Sequence, residues 1–416
     1  MPKIDLKYGR TLVPLRYDES RFSVLGSDRQ REPLTDPEIG ARLDEPIDLL
    51  PLDDLIRPGD RVLLVVSDAT RQTGAGQVVN LLARRLIANG SNAADINIIF
   101  ATGIHRRVSD EERRTILSPF IIQRMKTIDH DANDPIKNFR VGEISGGIPV
   151  ELDWTLTEFD HIVLIGGITF HYFAGFTGGR KLICPGLASA KTISATHRLA
   201  FDCETMDRRQ GVGTGLLDGN AVHEAFLEAA SFAKPSFAVN TIVDDLGRVI
   251  DLYCGDWISS HRHACDAYAE AYTVPITEKR ELVVASCGGY PLDINLIQAH
   301  KALEAASVAC RDGGVIVLLA ECEDGLGRSD FLDWFDARDS NALAQKLCES
   351  YQVNGQTAWS LLKKAERFEI RLASRLDAQT IGKMRLSSTE LNAVQQMIAS
   401  ASGGYIIPFG AKFRIV

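Results

Sequence analysis

The sequence lacks the segments that place a protein in or across a membrane. No stretch of it approaches the roughly 18 consecutive apolar residues that a spanning helix needs. The N-terminal residues MPKIDLKYGRTLVPL contain no apolar core of the kind found in secretory signal peptides. We therefore expect a cytoplasmic protein.

Positive charge is also in the minority. The chain has 46 lysines and arginines against 55 aspartates and glutamates, which gives a net charge of −9 at pH 7. This balance argues against a surface that binds nucleic acid or anionic membranes. It leaves room for a local basic pocket.

Cysteine motifs are absent as well. There is no CxxC pair and no zinc-ligand spacing among the eight cysteines, which stand at positions 184, 203, 254, 265, 287, 310, 322 and 348. We expect these thiols to be reduced and mostly buried, as is usual for proteins of the reducing cytoplasm.

The composition that remains is that of a globular protein. Apolar residues make up 45% of the chain and charged residues 24%, close to the averages for globular domains. This excludes a disordered chain, a collagen, a coiled-coil rod and a small disulfide scaffold. The length of 416 residues predicts two large domains, because one domain usually takes about 100–200 residues.

The first half of the chain alternates apolar strands with helices. Three continuous apolar runs are typical of buried parallel strands: Arg61–Asp68, Ile96–Ala101 and His161–Gly167. Gln77–Asn89 has helical spacing between them. Ser109, followed by three acidic residues, is typical of a helix N-cap. This rhythm predicts an α/β domain with a parallel sheet.

A second set of elements begins near residue 281. Strands are predicted at Glu281–Ser286, Gly314–Ala320 and Tyr405–Phe409, and a helix at Asn295–Cys310. With Ala267–Lys279 as a linker, the sequence predicts two α/β domains with mostly parallel sheets. We assign residues 1–272 to an N-terminal cofactor-binding domain, which the last ten residues could join, and 273–416 to a C-terminal domain. We expect the active site in the cleft between the two.

The segment Gly166–Ser189 is the richest in candidate binding residues. It contains Gly178-Gly179-Arg180-Lys181 and then Pro185-Gly186, before a helix that begins near Ser189. Glycines allow close backbone approach to a ligand, and amides at a helix N-terminus attract an anion. A structural turn with a solvated Arg-Lys pair explains the same residues. The segment is neither a Walker loop nor a GxGxxG motif.

Lysine and histidine are the candidate reactive groups. Lys181 lies among glycines and apolar residues, where desolvation would favour a nucleophilic amine, although most lysines are merely solvated. His105, His171 and His197 follow strands or glycine turns and are candidates for a general base or for a nickel or zinc ligand. Two facing imidazoles would suit an enzyme that acts on either face of one carbon. The other histidines are interpreted as hydrogen-bonded structural residues.

Two further pairs could hold an anionic substrate. Asp68 and Arg71 follow the first strand, where the arginine could grip a carboxylate by a two-pronged contact; an N-cap aspartate and a surface arginine are the alternative. Gln298 and Lys301 lie three residues apart on a predicted helix and hence on one face. They could complete the same anion site, or they could both be solvated.

Several blocks together resemble the nickel-pincer lactate racemase family. The resemblance runs in order from about residue 8 to residue 410, and the longest block is the most specific. The blocks are DATR (68–71), ATGIHR (101–106), HDAND (130–134), HYFAGFTGGRKLICPGLAS (171–189) and GGYPLDINLIQAHKALEAAS (288–307).

The resemblance implies a 2-hydroxy acid racemase or epimerase with an unusual cofactor. This is a pyridinium mononucleotide that carries a thioamide and a thiocarboxylate and binds nickel as a pincer complex. The matching residues are Lys181 for the covalent link and His197 for nickel. Glycines, a proline and a serine of the same block would line the cofactor: Gly178, Gly179, Pro185, Gly186 and Ser189.

The resemblance also implies a substrate site and a mechanism. His105 and His171 match the acid/base pair, and the substrate-binding residues match Asp68, Arg71, Gln298 and Lys301. The implied reaction is proton-coupled hydride transfer to and from the bound cofactor. Partner enzymes that build the cofactor and insert nickel are implied as well.

Some residues depart from the family's pattern around the substrate. Gln72 stands where the family usually has proline after the arginine, and Ile297 stands where lactate-specific members can have tyrosine. Trp359 is no secure match for a tryptophan that covers the substrate. We therefore expect a 2-hydroxy acid other than lactate, such as malate, an aromatic lactate or a sugar acid.

Two other functions stay open from the sequence. One is a 2-hydroxy acid dehydrogenase that uses free nicotinamide cofactor, against which the missing GxGxxG motif argues. The other is a non-catalytic protein that binds the cofactor or a hydroxy acid.

Overall fold

The protein is described by a computed structural model that covers residues 1–26, 31–69 and 71–416. Its chain forms two compact units. The N-terminal unit contains the described residues of Gln30–Ala200 and Gln210–Glu270. The C-terminal unit contains those of Met1–Arg29, Phe201–Arg209 and Ala271–Val416.

The last boundary between the units, after Glu270, lies within two residues of the predicted domain boundary after residue 272. The division also places residues 1–26, 201–209 and the last ten residues in the C-terminal unit, because each of these segments contributes strands there. Cofactor binding by the N-terminal domain stays a prediction.

The strands of the described residues, in chain order, are β1 (Lys3–Tyr8), β2 (Thr11–Arg16), β3 (Phe22–Val24), β4 (Val62–Ser67), β5 (Ile96–Ala101), β6 (Thr127–Asp129), β7 (Asn138–Ile144), β8 (Ile148–Asp153), β9 (His161–Gly167), β10 (Phe170–His171), β11 (Gly175–Phe176), β12 (Phe201–Asp202), β13 (Asp207–Arg208), β14 (Phe237–Val243), β15 (Val249–Gly255), β16 (Thr273–Val274), β17 (Arg280–Ser286), β18 (Cys310–Leu319), β19 (Glu369–Ala373), β20 (Ser387–Ser388), β21 (Gly404–Ile407) and β22 (Arg414–Ile415).

The α-helices are α1 (Asp36–Asp44), α2 (Leu52–Leu55), α3 (Ala75–Ala88), α4 (Asp110–Ile116), α5 (Pro119–Arg124), α6 (Ala190–Arg198), α7 (Ala221–Ser231), α8 (Ser259–Tyr272), α9 (Leu296–Ala299), α10 (Ala302–Ala309), α11 (Ser340–Glu349), α12 (Val353–Ala365), α13 (Ala378–Lys383) and α14 (Leu391–Ser400). Short 3₁₀ segments lie at Ala93–Asp95, Trp154–Thr157, Gly179–Leu182 and Ser329–Asp336.

A six-stranded sheet organises the N-terminal unit, in the order β15-β14-β9-β4-β5-β6. All neighbours pair in parallel except β14 and β15. The apolar residues of β4 are fully buried, as expected for a strand covered on both faces. The predicted strands at β4, β5 and β9 and the N-cap at Ser109 are confirmed.

The C-terminal unit contains a second six-stranded sheet, in the order β20-β19-β18-β17-β21-β3. Every neighbouring pair in it is parallel. Separate apolar clusters cover its two faces. The predicted class, two α/β units with mostly parallel sheets, is confirmed.

Two local predictions in the C-terminal part of the chain are wrong. The helix predicted at Asn295–Cys310 is interrupted at His300 and Lys301. The backbone amides of Lys301 and Leu303 bond to carbonyls three residues back, which tightens the turn. Half of the predicted linker is helical, because α8 runs on to Tyr272.

The cysteine prediction is wrong for one pair. Cys203 and Cys348 form a disulfide with their Cα atoms 5.8 Å apart. They are 145 residues apart in sequence, and they meet because residues 201–209 belong to the C-terminal unit. The other six cysteines are free and buried, as expected. Among the described residues, no helix is long and apolar enough to cross a membrane.

Candidate active site

Three neighbouring strand ends carry most of the predicted site residues. Asp68 directly follows β4, His105 lies just beyond β5, and β9 leads into the glycine-rich segment. Strand β4 pairs in parallel with β5 on one side and β9 on the other. Their carboxyl ends therefore lie at one edge of the sheet, where open α/β folds bind ligands.

Asp68 and His105 form a hydrogen-bonded pair at this edge. The Nδ1 atom of His105 lies 2.7 Å from Oδ2 of Asp68. The Asp68 side chain is 7% exposed and that of His105 is 38% exposed. Because an ionised carboxylate only accepts hydrogen bonds, Nδ1 donates, and in a neutral ring Nε2 then carries the lone pair. This is the orientation of a general base backed by a carboxylate.

Arg71 lies close to this pair in the chain. Its backbone amide donates to the carbonyl of Asp68 at 3.2 Å, and the residue is half-buried. Thr70, which belongs to the same sequence block, lies outside the described residues.

His171 has the opposite hydrogen-bonding pattern. It ends β10, in a hairpin closed by β11. Its Nδ1 atom accepts bonds from the backbone amides of Phe173 and Ala174, at 3.2 and 3.1 Å. In a neutral ring the proton is therefore on Nε2.

The glycine-rich turn encloses Arg180. Gly179 has a φ of 48°, and a Cβ atom on it would lie 2.6 Å from the His261 ring. Arg180 is buried and donates to the carbonyl of Ala174 at 2.7 Å and to Nε2 of His261 at 2.8 Å. Burial lowers the Arg180 pKa to about 10. The interpretation of Arg180 as a solvated side chain is thus excluded.

Lys181 and His197 lie on the same aromatic ring. The Lys181 Nζ atom is 5.5 Å from the Phe226 ring centroid, and the His197 ring centroid is 5.1 Å from it. Burial, and next the charge of Lys181, lower the pKa of His197 to about 4, so this ring is neutral at pH 7.

His197 also presents a nitrogen that can bind a metal. Its Nδ1 atom lies 2.8 Å from the carbonyl oxygen of Ile193, one turn earlier in α6. A carbonyl accepts, so Nδ1 donates and Nε2 keeps its lone pair. Among the described residues, no group of three or more His, Cys, Asp or Glu side chains could hold a metal ion by itself.

The backbone amides that were expected to attract an anion already donate hydrogen bonds to backbone carbonyls. Those of Gly186 and Ser189 donate to the carbonyls of Lys181 and Glu151 at 3.0 Å each. The Ser189 hydroxyl caps α6 by accepting from the amide of Thr192. The roles of Gly178, Pro185, Gly186 and Ser189 in cofactor binding stay predictions.

A buried pair beside this segment was not assigned to the site from the sequence. His130 Nδ1 lies 2.7 Å from Oδ2 of Asp153, and its Nε2 lies 3.0 Å from the carbonyl of Ala188. Both partners are acceptors, so the ring donates twice. Burial raises the pKa of Asp153, but the bonds from His130 and Thr155 outweigh it and leave that pKa below its ordinary value. In the sequence, the only sign of this pair was His130 in the HDAND block (130–134). That block does not distinguish a structural role from a functional one.

Removing this carboxylate should destabilise the protein. Asp153→Ala leaves the buried His130 ring without its partner, and we expect a loss of about 3–5 kcal/mol in unfolding free energy, measured by urea denaturation. The matched control is Asp60→Ala. Asp60 contacts His161 at 3.2 Å in a pair that is partly exposed, and its loss should cost at most about 1 kcal/mol. Equal losses in both variants would contradict this account.

The remaining predicted residues lie in the C-terminal unit. Lys301 Nζ donates to Oε1 of Gln298 at 2.5 Å, so the two side chains meet despite the interrupted helix. Trp359 is buried and packs edge-on against Phe201, with ring centroids 5.0 Å apart. It is therefore a core residue rather than a cover for a substrate.

Comparison with known proteins decides the family. Two family models match: the lactate racemase N-terminal domain over residues 8–208 and the lactate racemase C-terminal domain over residues 276–401. The lactate racemase of Thermoanaerobacterium thermosaccharolyticum is 30% identical over 354 residues, 83% of this chain and 81% of that protein. The chain belongs to the lactate racemase family. The lactate racemase of Lactiplantibacillus plantarum is 31% identical over 335 residues, 80% of this chain and 77% of that protein.

Solved structures agree with membership of the lactate racemase family. The structure of the lactate racemase apoprotein from T. thermosaccharolyticum has a TM-score of 0.87 at 25% identity, with both chains fully covered. A Thermotoga maritima protein has a TM-score of 0.74 at 19% identity, over 93% of this chain and 99% of that one, which shows the fold alone. The resemblance drawn from the sequence blocks is confirmed, and the chain is an enzyme of the isomerase class, a racemase.

Proposed function

We propose that this racemase inverts C2 of a 2-hydroxy acid with a nickel-pincer pyridinium mononucleotide linked to Lys181. The observation that carries the proposal is the meeting of Lys181 and His197 at the Phe226 ring. An amine for a covalent link and a metal-binding nitrogen thus lie on one aromatic side chain.

The residues present fit such a cofactor. His197 is neutral at pH 7, and its Nε2 lone pair suits nickel, for which imidazole is a good ligand. Lys181 is half-buried beside it. When bound, the cofactor would take a hydride from the substrate carbon and return it.

The other side chains would handle the substrate. Arg71 suits the carboxylate of a 2-hydroxy acid, because a guanidinium matches a carboxylate with two parallel bonds. His105, backed by Asp68, would accept the hydroxyl proton. His171 is the second histidine proposed at the substrate oxygen. Gln298 and Lys301 stay predictions as carboxylate ligands.

The substrate class is proposed from the relatives and from the departures in this chain. The curated relatives are named lactate racemases, which supports a small 2-hydroxy acid. Gln72 and Ile297 differ from the family's usual residues, which favours a longer or more polar acid than lactate. We further propose cytoplasmic partner enzymes that build the cofactor and insert nickel.

The test is an enantiomer-interconversion assay of protein co-expressed with cofactor-building enzymes. Single enantiomers of lactate, malate, an aromatic lactate and a sugar acid would be incubated without added nicotinamide cofactor and analysed by chiral chromatography. We expect at least one to give its C2 epimer with nickel-loaded protein and none with protein from a host that lacks those enzymes.

Other outcomes would point elsewhere. A 2-keto acid that accumulates only with added NAD would indicate a dehydrogenase. Substrate binding without turnover by nickel-loaded protein would indicate a non-catalytic binding protein. Either result would overturn the proposed function.

A further inference from the structure

The turn that follows His171 is fixed from outside its hairpin at three consecutive carbonyls. Each of these carbonyls accepts a hydrogen bond from a donor elsewhere in the N-terminal unit, and two of the donors are buried side chains. The bonds run from Asn220 Nδ2 to Phe173 at 2.7 Å, from Arg180 Nη2 to Ala174 at 2.7 Å and from the Gly215 amide to Gly175 at 3.0 Å.

The ring of His171 is coupled to the same turn. Its Nδ1 atom accepts from the backbone amides of Phe173 and Ala174, at 3.2 and 3.1 Å. The carbonyls of these two residues are the ones that Asn220 and Arg180 hold. A displacement of the turn would therefore displace the imidazole, since the amides that hold Nδ1 belong to that turn.

Arg180 connects this turn to the segment of Lys181. It directly precedes Lys181 in the 3₁₀ segment Gly179–Leu182. One nitrogen of its guanidinium, Nη2, holds the carbonyl of Ala174, and the other, Nη1, lies 2.8 Å from Nε2 of His261 in α8. A planar guanidinium that is anchored at two nitrogens has little freedom to turn. The turn is thus held at a fixed place relative to the backbone of Lys181.

Stability alone does not account for an arginine at position 180. The residue is 1% exposed, and no carboxylate among the described residues forms an ion pair with it. Its Nε atom has no hydrogen-bond partner in the described part of the chain. A buried charge without a counter-charge costs free energy of folding. A requirement for its contacts with the turn of His171 explains why this cost is tolerated.

Asn220 connects the same turn to helix α7. It is fully buried and uses both ends of its amide group. Its Oδ1 atom accepts from two backbone amides and so caps α7, whereas Nδ2 donates to the carbonyl of Phe173. The same helix carries Phe226, and the side chains of Lys181 and His197 both lie at its ring. The turn is thus tied to the helix that contacts both proposed cofactor residues.

We propose that Arg180 and Asn220 are positioning residues, which hold His171 in register with Lys181 and Phe226. They act on the reaction through the histidine. If the turn shifts, the imidazole moves relative to a substrate held at the cofactor, and proton transfer slows because it depends steeply on geometry. The effect on turnover rests on the proposed function, whereas the hold on the turn rests on the hydrogen bonds alone.

Two substitutions each remove one of these tethers. Asn220→Ser keeps an oxygen that caps α7 well, but it lacks the amide group that reaches the carbonyl of Phe173. Arg180→Lys keeps the positive charge, but it has a single ammonium group in place of the planar fork. The matched control is Asn92→Ser. Asn92 is an exposed residue that caps the 3₁₀ segment Ala93–Asp95, so the same change is made at an N-cap far from His171 in the chain.

The first readout needs neither cofactor nor turnover. Hydrogen–deuterium exchange of cofactor-free protein, measured by mass spectrometry of peptides, reports on the amides of the turn. We expect peptides that cover residues 171–176 to exchange about tenfold faster in Asn220→Ser and Arg180→Lys, because the loss of one hydrogen bond eases local opening. Asn92→Ser should exchange there like the unmodified protein. Unchanged exchange in both tether variants would overturn the proposal.

The second readout is the kinetics of the cofactor-loaded enzyme at matched nickel content. We expect both tether variants to lose about 10²-fold in kcat, with an unchanged KM and an unchanged mass of the Lys181 adduct, because an interaction that orients a catalytic group acts on the chemical step. If Asn220 were only a helix cap and Arg180 only a buried charge, kcat would stay the same. Faster exchange of the turn with full turnover would therefore overturn the positioning role.

Failure of this proposal is distinguishable from failure of the proposed function. If the unmodified protein, loaded with cofactor, turns over no 2-hydroxy acid, the proposed function fails, and the exchange rates still decide whether Arg180 and Asn220 hold the turn. Peptides that cover β4 would show whether a variant has unfolded globally. Because the two tethers belong to different elements, the loss of one variant to unfolding leaves the other to decide.

Discussion

Replacing Asp68 with asparagine is expected to lower the turnover of the cofactor-loaded enzyme by about 10³–10⁴-fold. The carboxylate holds the proton of His105 on Nδ1. Asparagine keeps the shape but offers an N–H donor, which favours a bare Nδ1 and moves the proton to Nε2. A tautomer exchange of this kind removes the general base, and it costs about 10⁴-fold in turnover where a carboxylate orients a catalytic histidine.

This prediction is checked by steady-state kinetics at matched nickel content. The control is Asp60→Asn, since Asp60 contacts His161 Nε2 at 3.2 Å in a partly exposed pair to which we assign no role in the reaction. That variant should turn over like the unmodified enzyme. Unchanged turnover in Asp68→Asn, with nickel retained, would remove the carboxylate from the mechanism.

Replacing Lys181 with alanine is expected to abolish the covalent adduct completely. In the proposed function its amine makes the only covalent link to the cofactor, so intact-mass spectrometry should show the unmodified chain mass. The nickel content should fall together with the adduct, because without the cofactor His197 supplies only a single ligand to the metal. Lys181→Arg would keep a positive charge near Phe226 but could not form the link, so it too should show no adduct.

The matched control is Lys191→Ala. Lys191 is an exposed lysine at the start of α6, ten residues along the same segment. Its loss should leave both the adduct mass and the nickel content unchanged. An adduct that persists in Lys181→Ala and disappears in Lys191→Ala would reassign the link, and an adduct in neither variant nor the unmodified protein would contradict the cofactor.

Much of the fold could be predicted because its central strands are buried on both faces. The runs at β4, β5 and β9 are mostly apolar and end at polar residues or glycines, so their type and ends follow from composition. The break in the helix near His300 could not be predicted, since the residues around it have good helical spacing. It is made by backbone bonds between residues three apart, which the spacing of apolar residues does not reveal.

The candidate site, too, could be predicted from the sequence only in part. The resemblance named the reactive residues, and the structure brings Asp68 to His105 and Lys181 to His197. The sequence could not reveal that Arg180 is buried, that the amides near Gly186 are already used, or which ring nitrogen of each histidine has a proton. These properties depend on partners from distant segments, such as His261 and Glu151.

The Cys203–Cys348 disulfide has a consequence for how the chain responds to a protease. Residues 204–347 form a covalently closed loop, which contains the segment Gln210–Glu270 of the N-terminal unit. A single cut anywhere within this loop would leave both fragments joined. Such a nicked protein would keep its full mass on a non-reducing gel and separate into two bands only after a thiol is added.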